Sequence, residues 1–155
     1  MKELASILQH LRQPEYLHVL LNPVPLYGMA AGAFMLAWSR FRRQAEPPEG
    51  ALVWILLVAL ATGLAVYFGE RGYENAGVVA DAHGNRWLAI HKARAEALMY
   101  VFFLTGGSAA AALFFKRKPL ASRWVEATFV LTLLSVAAAA WISHAGGQIM
   151  HGEFR

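Results

Sequence analysis

The chain has 155 residues, of which 57% are hydrophobic and only 15% charged, against about 25% charged in an ordinary soluble domain. With a positive mean hydropathy it belongs to the membrane class, and its length leaves room for roughly four spans of about 20 residues in a single domain, residues 1–155. The net charge is +4 and cysteine is absent. The basic residues sit beside apolar spans and make no stripe with exposed aromatics, which argues against nucleic acid as a partner. Disulfides, thiolate metal sites, cysteine-held iron-sulphur clusters and covalent haem attachment fall with the missing thiol.

The opening MKELASILQHLRQPEY is too interrupted by polar residues for a cleavable signal peptide. Its Leu4, Ile7, Leu8 and Leu11 recur at helical spacing, which predicts a short amphipathic helix on the membrane surface. The first span is expected over 23–42, in NPVPLYGMAAGAFMLAWSRFRR. There Asn22 is placed to cap the helix, and Pro23 and Pro25 fall in the first turn, where a missing N–H costs little. Gly28 and Gly32 form a GxxxG pair, which brings two helices close. The second span, ALVWILLVALATGLAVYFG, covers 51–69, and Glu70 to Asn85 is expected as the loop that follows. The third span is expected over 85–115. Its apolar part starts at Ala97, so about two turns carrying His91 rise above the bilayer core. The fourth span is expected over 122–144. Glu96 and Glu126 border the apolar parts of the third and fourth spans, close enough to an end to reach water or a basic neighbour. Trp87, Trp124 and Trp141 are expected as interface anchors. The fold class is therefore all-α: an integral membrane four-helix bundle with a short N-terminal amphipathic helix.

RRQAEPPEG and KRKPLAS are short connections, which make neighbouring spans antiparallel. Arg40, Arg42, Arg43, Lys116, Arg117, Lys118 and Arg123 cluster there, half of the 14 lysines and arginines. The positive-inside rule then puts these loops in the cytoplasm and both termini outside. All 6 histidines, His10, His18, His83, His91, His144 and His151, fall on the outer side. His18, His91 and His144 are expected at similar depth from three parts of the chain, which is how a bundle builds a cofactor site. In WISHAGGQIMHGEFR, Trp141, His144, Gln148 and His151 share one face if the helix continues. Below them Ala137 and Ala140 leave space for a flat ring, and Gly146 and Gly147 let it approach the backbone.

Neutral imidazole is the commonest metal ligand, and haem iron is typically held by histidine. The pattern predicts a b-type haem held by two of His18, His91 and His144. Arg94 and Arg86 are placed to pair with its propionates, and His151 is available for a second haem. Two other readings stand beside this one. In the first, a cofactor-free anchor or assembly subunit carries interfacial histidines wetted by headgroups. In the second, an outward-facing copper or zinc site draws on the soft ligands Met99 and Met150. Asp81 and His83 read as a metal pair or, more simply, as a turn. No Gly-x-Ser-x-Gly elbow points to hydrolysis.

His18, Pro25 at the head of the first span, ATG within the second with Glu70 after it, a histidine opening the third and GGQIMHG after the fourth together resemble an uncharacterised bacterial family of four-helix membrane domains. That family is a domain of unknown function, found in some proteins beside Rieske-type iron-sulphur domains. The resemblance implies a redox setting in the bacterial inner membrane and a b-type haem. This chain has Val19 where the family usually pairs histidine with proline, and its segment after the double glycine is shortened. The function expected is that of a membrane b-type cytochrome, or the haem-bearing subunit of an electron-transfer complex without catalysis of its own. Electrons would pass between a periplasmic partner and a membrane partner such as quinone. One haem near a single surface cannot carry an electron across the whole membrane, so a redox partner subunit is implied.

Overall fold

The computed structural model describes residues 7–42 and 47–150, and every regular element among them is helical. The helices are α1 Pro14–Leu21, α2 Pro23–Phe41, α3 Glu49–Val79, α4 Ala82–Phe114 and α5 Ala121–Met150. Four stretches are long and apolar enough to cross a membrane: Pro14–Phe41, Glu49–Val79, Ala82–Phe114 and Ala121–Ile149. The all-α four-helix architecture expected from composition is the one found. α2 packs on α3 and α5, α4 packs on the same two, and α1 lies against α3.

The bundle is small inside and large outside. Ala59, Ala109, Ala112 and Ala139 share the core with Leu36, Leu52, Ile55, Val58 and Phe102. Phe34, Leu57, Leu60, Tyr100, Leu104 and Val130 are exposed on its flanks. A bilayer permits this, because lipid tails solvate large apolar side chains while small residues let helices pack closely. The GxxxG pair acts as expected: a Cβ on Gly28 would lie 2.7 Å from Val58 Cγ2, and one on Gly32 would lie 2.6 Å from Ile55 Cγ1. Trp54 Nε1 donates to the Gly28 carbonyl across the same contact at 2.8 Å. Between α4 and α5 the buried hydroxyls interlock, with Thr105 Oγ1 and Ser135 Oγ 2.9 Å apart and Thr128 Oγ1 donating to Ser108 Oγ at 3.0 Å.

The helix ends depart from the expected spans, each for a local reason. The Asn22 side chain makes no capping bond. Its backbone is right-handed helical and its N–H bonds the His18 carbonyl at 2.8 Å, so α1 runs on into α2. Of the N-terminal surface helix expected from the sequence, the described part, residues 7–10, is helical, and α1 exposes Val19 and Leu20 as the lead-in to the first span. Leu4, Arg43 and His151 lie outside the described residues. Glu70 to Asn85, expected as a loop, is almost wholly helical: α3 continues to Val79, and α4 starts after Asp81, whose carboxylate accepts the Gly84 N–H at 2.7 Å. That bond is the N-cap of α4, the turn that the sequence also suggested at Asp81. α5 also continues through Gly146 and Gly147, because tertiary contact at Gly146 offsets the roughly 1 kcal/mol that a glycine costs a helix. Glu96 and Glu126 find basic neighbours as expected, Lys92 at 3.7 Å and Arg40 at 3.5 Å.

Candidate functional site

The end of the bundle where α3 turns into α4 holds a groove of about 630 Å³, walled by α1, α3, α4 and α5. On α4 its lining runs from Leu88 to Phe102, a rise of about 21 Å at 1.5 Å per residue. The walls are mostly apolar, with Val66, Ala76, Met99 and Ile142 among them, and the polar groups include His18, His91, Thr62, Tyr73, Lys92 and the carboxylates of Glu15, Glu70 and Glu96. The volume and lining are those of a small-molecule or cofactor pocket.

Two histidines face each other across it. The rings of His18 on α1 and His91 on α4 have centroids 6.0 Å apart and planes at 78°. His18 Nδ1 lies 2.8 Å from the Ala65 carbonyl on α3, and His91 Nδ1 lies 3.0 Å from the Ile142 carbonyl on α5. A carbonyl oxygen can only accept. Both Nδ1 atoms therefore carry a hydrogen, and Nε2 is the nitrogen whose lone pair a neutral ring held in this way would offer.

The same local device holds both rings. Ala65 is followed four residues later by Gly69, and Ile142 by Gly146. In an α-helix the Cβ of residue i+4 tilts back toward the carbonyl of residue i, so a glycine there leaves that oxygen's second lone pair open. A Cβ on Gly69 would stand 2.7 Å from His18 Nδ1, and one on Gly146 would stand 3.2 Å from His91 Nδ1. α1 is pressed onto α3 by a second glycine, since a Cβ on Gly72 would meet the Glu15 backbone at 2.8 Å.

Of the described residues expected to hold or anchor the group, His18 and His91 are brought together, and His144, Arg94 and Arg86 are not. His144 is exposed, sets its ring against Trp87 at 5.8 Å and does not line the groove. Ala137, Ala140 and Trp141 are exposed on the same outer side of α5. The groove is lined instead by the adjacent face, Ala139, Ile142, Ser143, Gly146 and Ile149. Arg94 is committed elsewhere, with Nη1 donating to the Trp141 carbonyl at 2.8 Å and its guanidinium 4.5 Å from the Trp141 ring. Arg86 is exposed and outside the groove. His10 rests on Tyr16 and His83 beside Trp87. Met99 does line the groove.

Sequence reasoning missed Gly69, Lys92 and Tyr73. A signal for the α3 wall was present: Thr62, Ala65, Gly69, Gly72, Ala76 and Val79, all lining the groove, recur at intervals of three and four, a small-residue stripe on one helix face. Among the described residues no three His, Cys, Asp or Glu side chains gather into a group that could hold a metal ion. Among the described residues that line the groove, the imidazoles are those of His18 and His91. No family model, curated protein or solved structure matches the chain.

Proposed function

We propose that this groove holds a b-type haem between His18 and His91, and that the chain is a membrane b-type cytochrome or the haem-bearing subunit of an electron-transfer complex. The observation that carries the reading is the pair of rings 6.0 Å apart, both fixed through Nδ1 to main-chain carbonyls. His18 and His91 would hold the metal through Nε2, the nitrogen that the carbonyl bonds leave free. Metal-bound histidines characteristically donate their other nitrogen to a carbonyl or carboxylate. Structural zinc takes four protein ligands and catalytic zinc three, whereas a haem would bring donors of its own and could be held by His18 and His91. The residues present fit that demand, and Gly69 and Gly146 leave the room in which the two imidazoles sit.

The bound group would supply a one-electron couple. The chain's part is to hold two imidazoles at fixed separation with Nε2 free and to set the ligands' basicity. The Nδ1 bonds to Ala65 and Ile142 make both Nε2 atoms stronger donors, which favours the oxidised metal. The clustering of basic residues at the opposite end of the bundle supports placing the groove toward the periplasm of a bacterial inner membrane. A haem confined to that side requires a redox partner subunit or a quinone to complete electron passage. The four-span resemblance to a domain found beside Rieske-type proteins agrees with that setting.

The test is the absorption spectrum of the purified chain, oxidised and dithionite-reduced, and of the apoprotein titrated with hemin. A low-spin spectrum with a Soret band that shifts on reduction is expected. His18→Ala and His91→Ala should each abolish it while circular dichroism shows the helices intact, and His144→Ala should retain it. A featureless trace after hemin titration, or a low-spin spectrum that survives both ligand variants, refutes the proposal.

A further inference from the structure

We infer that Lys92 is the anchor for an anionic end of the bound group, a role the sequence suggested for Arg94 and Arg86. The inference rests on the haem reading, since haem carries two propionates. Among the described residues Lys92 is the only lysine or arginine that lines the groove, while Glu15, Glu70 and Glu96 line it too. An entering carboxylate is repelled by the acids, and the one ammonium is what attracts it. Lys92 also follows His91 directly in the chain, so the helix turn that delivers the buried imidazole delivers the cation to the same wall.

The present partners of Lys92 leave it available. Its Nζ lies 4.6 Å from the centroid of the Tyr73 ring, reaching from α4 across to α3. It stands 3.7 Å from Glu96 Oε1, with the two side chains 41% and 51% exposed. An i,i+4 pair of that length and exposure holds weakly, so a propionate oxygen competes with it readily, and the ring contact keeps the ammonium at the groove while it does. Arg94, by contrast, would have to give up both its bond to the Trp141 carbonyl and its stacking on Trp141.

The experiment compares hemin with hemin dimethyl ester, whose propionates are neutral, on wild-type apoprotein and on Lys92→Met, Lys92→Arg and Arg94→Met. Lys92→Met should weaken hemin binding about tenfold, the scale of one charge-assisted contact, and leave the ester's affinity unchanged. It should also lower the midpoint potential of the loaded protein, because a cation beside the group favours the reduced state. Lys92→Arg should restore hemin affinity, and Arg94→Met should match wild type. Equal loss of hemin and ester in Lys92→Met means a packing defect and overturns the assignment, as does wild-type hemin affinity in that variant. Failure of the wild type to bind either compound overturns the haem reading itself and takes this inference with it. Normal low-spin binding with no Lys92 effect leaves that reading standing and overturns this inference alone.

Discussion

Gly69→Ala isolates the packing that places His18. The new methyl would lie 2.7 Å from His18 Nδ1 and 2.8 Å from Cε1, and the ring would have to retreat from 2.7 Å to the 3.4 Å at which ordinary contact begins. That movement stretches or breaks the 2.8 Å bond to the Ala65 carbonyl. Retreat of α1 as a whole loosens its seat on α3, where Gly72 meets the Glu15 backbone. Overpacking of this kind costs about 1–3 kcal/mol and a lost hydrogen bond about 1 kcal/mol, so a destabilisation on the order of 2–3 kcal/mol is expected. Gly107→Ala is the matched control: no atom stands within 4 Å of its Cβ position, and alanine in a helix interior gains about 0.5–1 kcal/mol over glycine. Tryptophan fluorescence during dodecyl sulfate titration in mixed micelles measures both, alongside hemin affinity. Gly69→Ala should unfold at lower dodecyl sulfate and bind hemin more weakly, with Gly107→Ala at or above wild type in both. Coincident curves and equal hemin affinity for the two variants would refute the placement of His18 against Gly69.

Other expectations are as direct. A double-mutant cycle of Thr105→Ala and Ser135→Ala, followed in the same titration, should give a coupling of about 0.6 kcal/mol, the usual worth of an interhelical hydrogen bond in a membrane; zero coupling contradicts the 2.9 Å hydroxyl contact. Lys116→Ala should shift stability by less than about 1 kcal/mol, because its 2.8 Å pair with Glu49 is half exposed and screened. Since the chain has no cysteine, single Ala80→Cys and Lys118→Cys variants report topology. An impermeant maleimide should label Ala80→Cys in intact cells and Lys118→Cys only after lysis; the reverse pattern inverts the orientation.

The spans were legible because about twenty apolar residues admit few other readings, and the GxxxG contact was legible because small residues at that spacing have one common use. The ends were not. The segment ERGYENAGVV after Gly69 is polar enough to pass for a loop, yet it contains no proline, and its glycines lie in tertiary contact, Gly72 with α1 and Gly77 with α4. His18 and His91 were legible as imidazoles at one end of the bundle, whereas the turning of His144 outward was not. α5 is alanine-rich on both faces, Ala137 and Ala140 exposed and Ala138 and Ala139 buried, so hydropathy gives no direction to the helix. Lys92 was passed over for arginines because charge alone marks a candidate. Only coordinates show that Arg94 is engaged with Trp141.

The glycines near the histidines acquire a different meaning once the hydrogen bonds are traced. From the sequence, Gly146 and Gly147 looked like room for a flat ring to approach the backbone. In the structure the ring beside Gly146 is an imidazole, and what the glycine exposes is an acceptor. A histidine N–H away from water must find a partner, and in a bundle whose carbonyls are already bonded along their own helices, the accessible acceptor is a carbonyl whose i+4 residue has no Cβ. Gly69 and Gly146 supply one each, on two helices distant in sequence. Through that device the backbone settles which nitrogen of each ring is protonated and turns two surface-leaning histidines into two oriented donors. The orientation of the two imidazoles is thus set by helix packing, and its sequence trace is a glycine four residues after an otherwise unremarkable alanine or isoleucine.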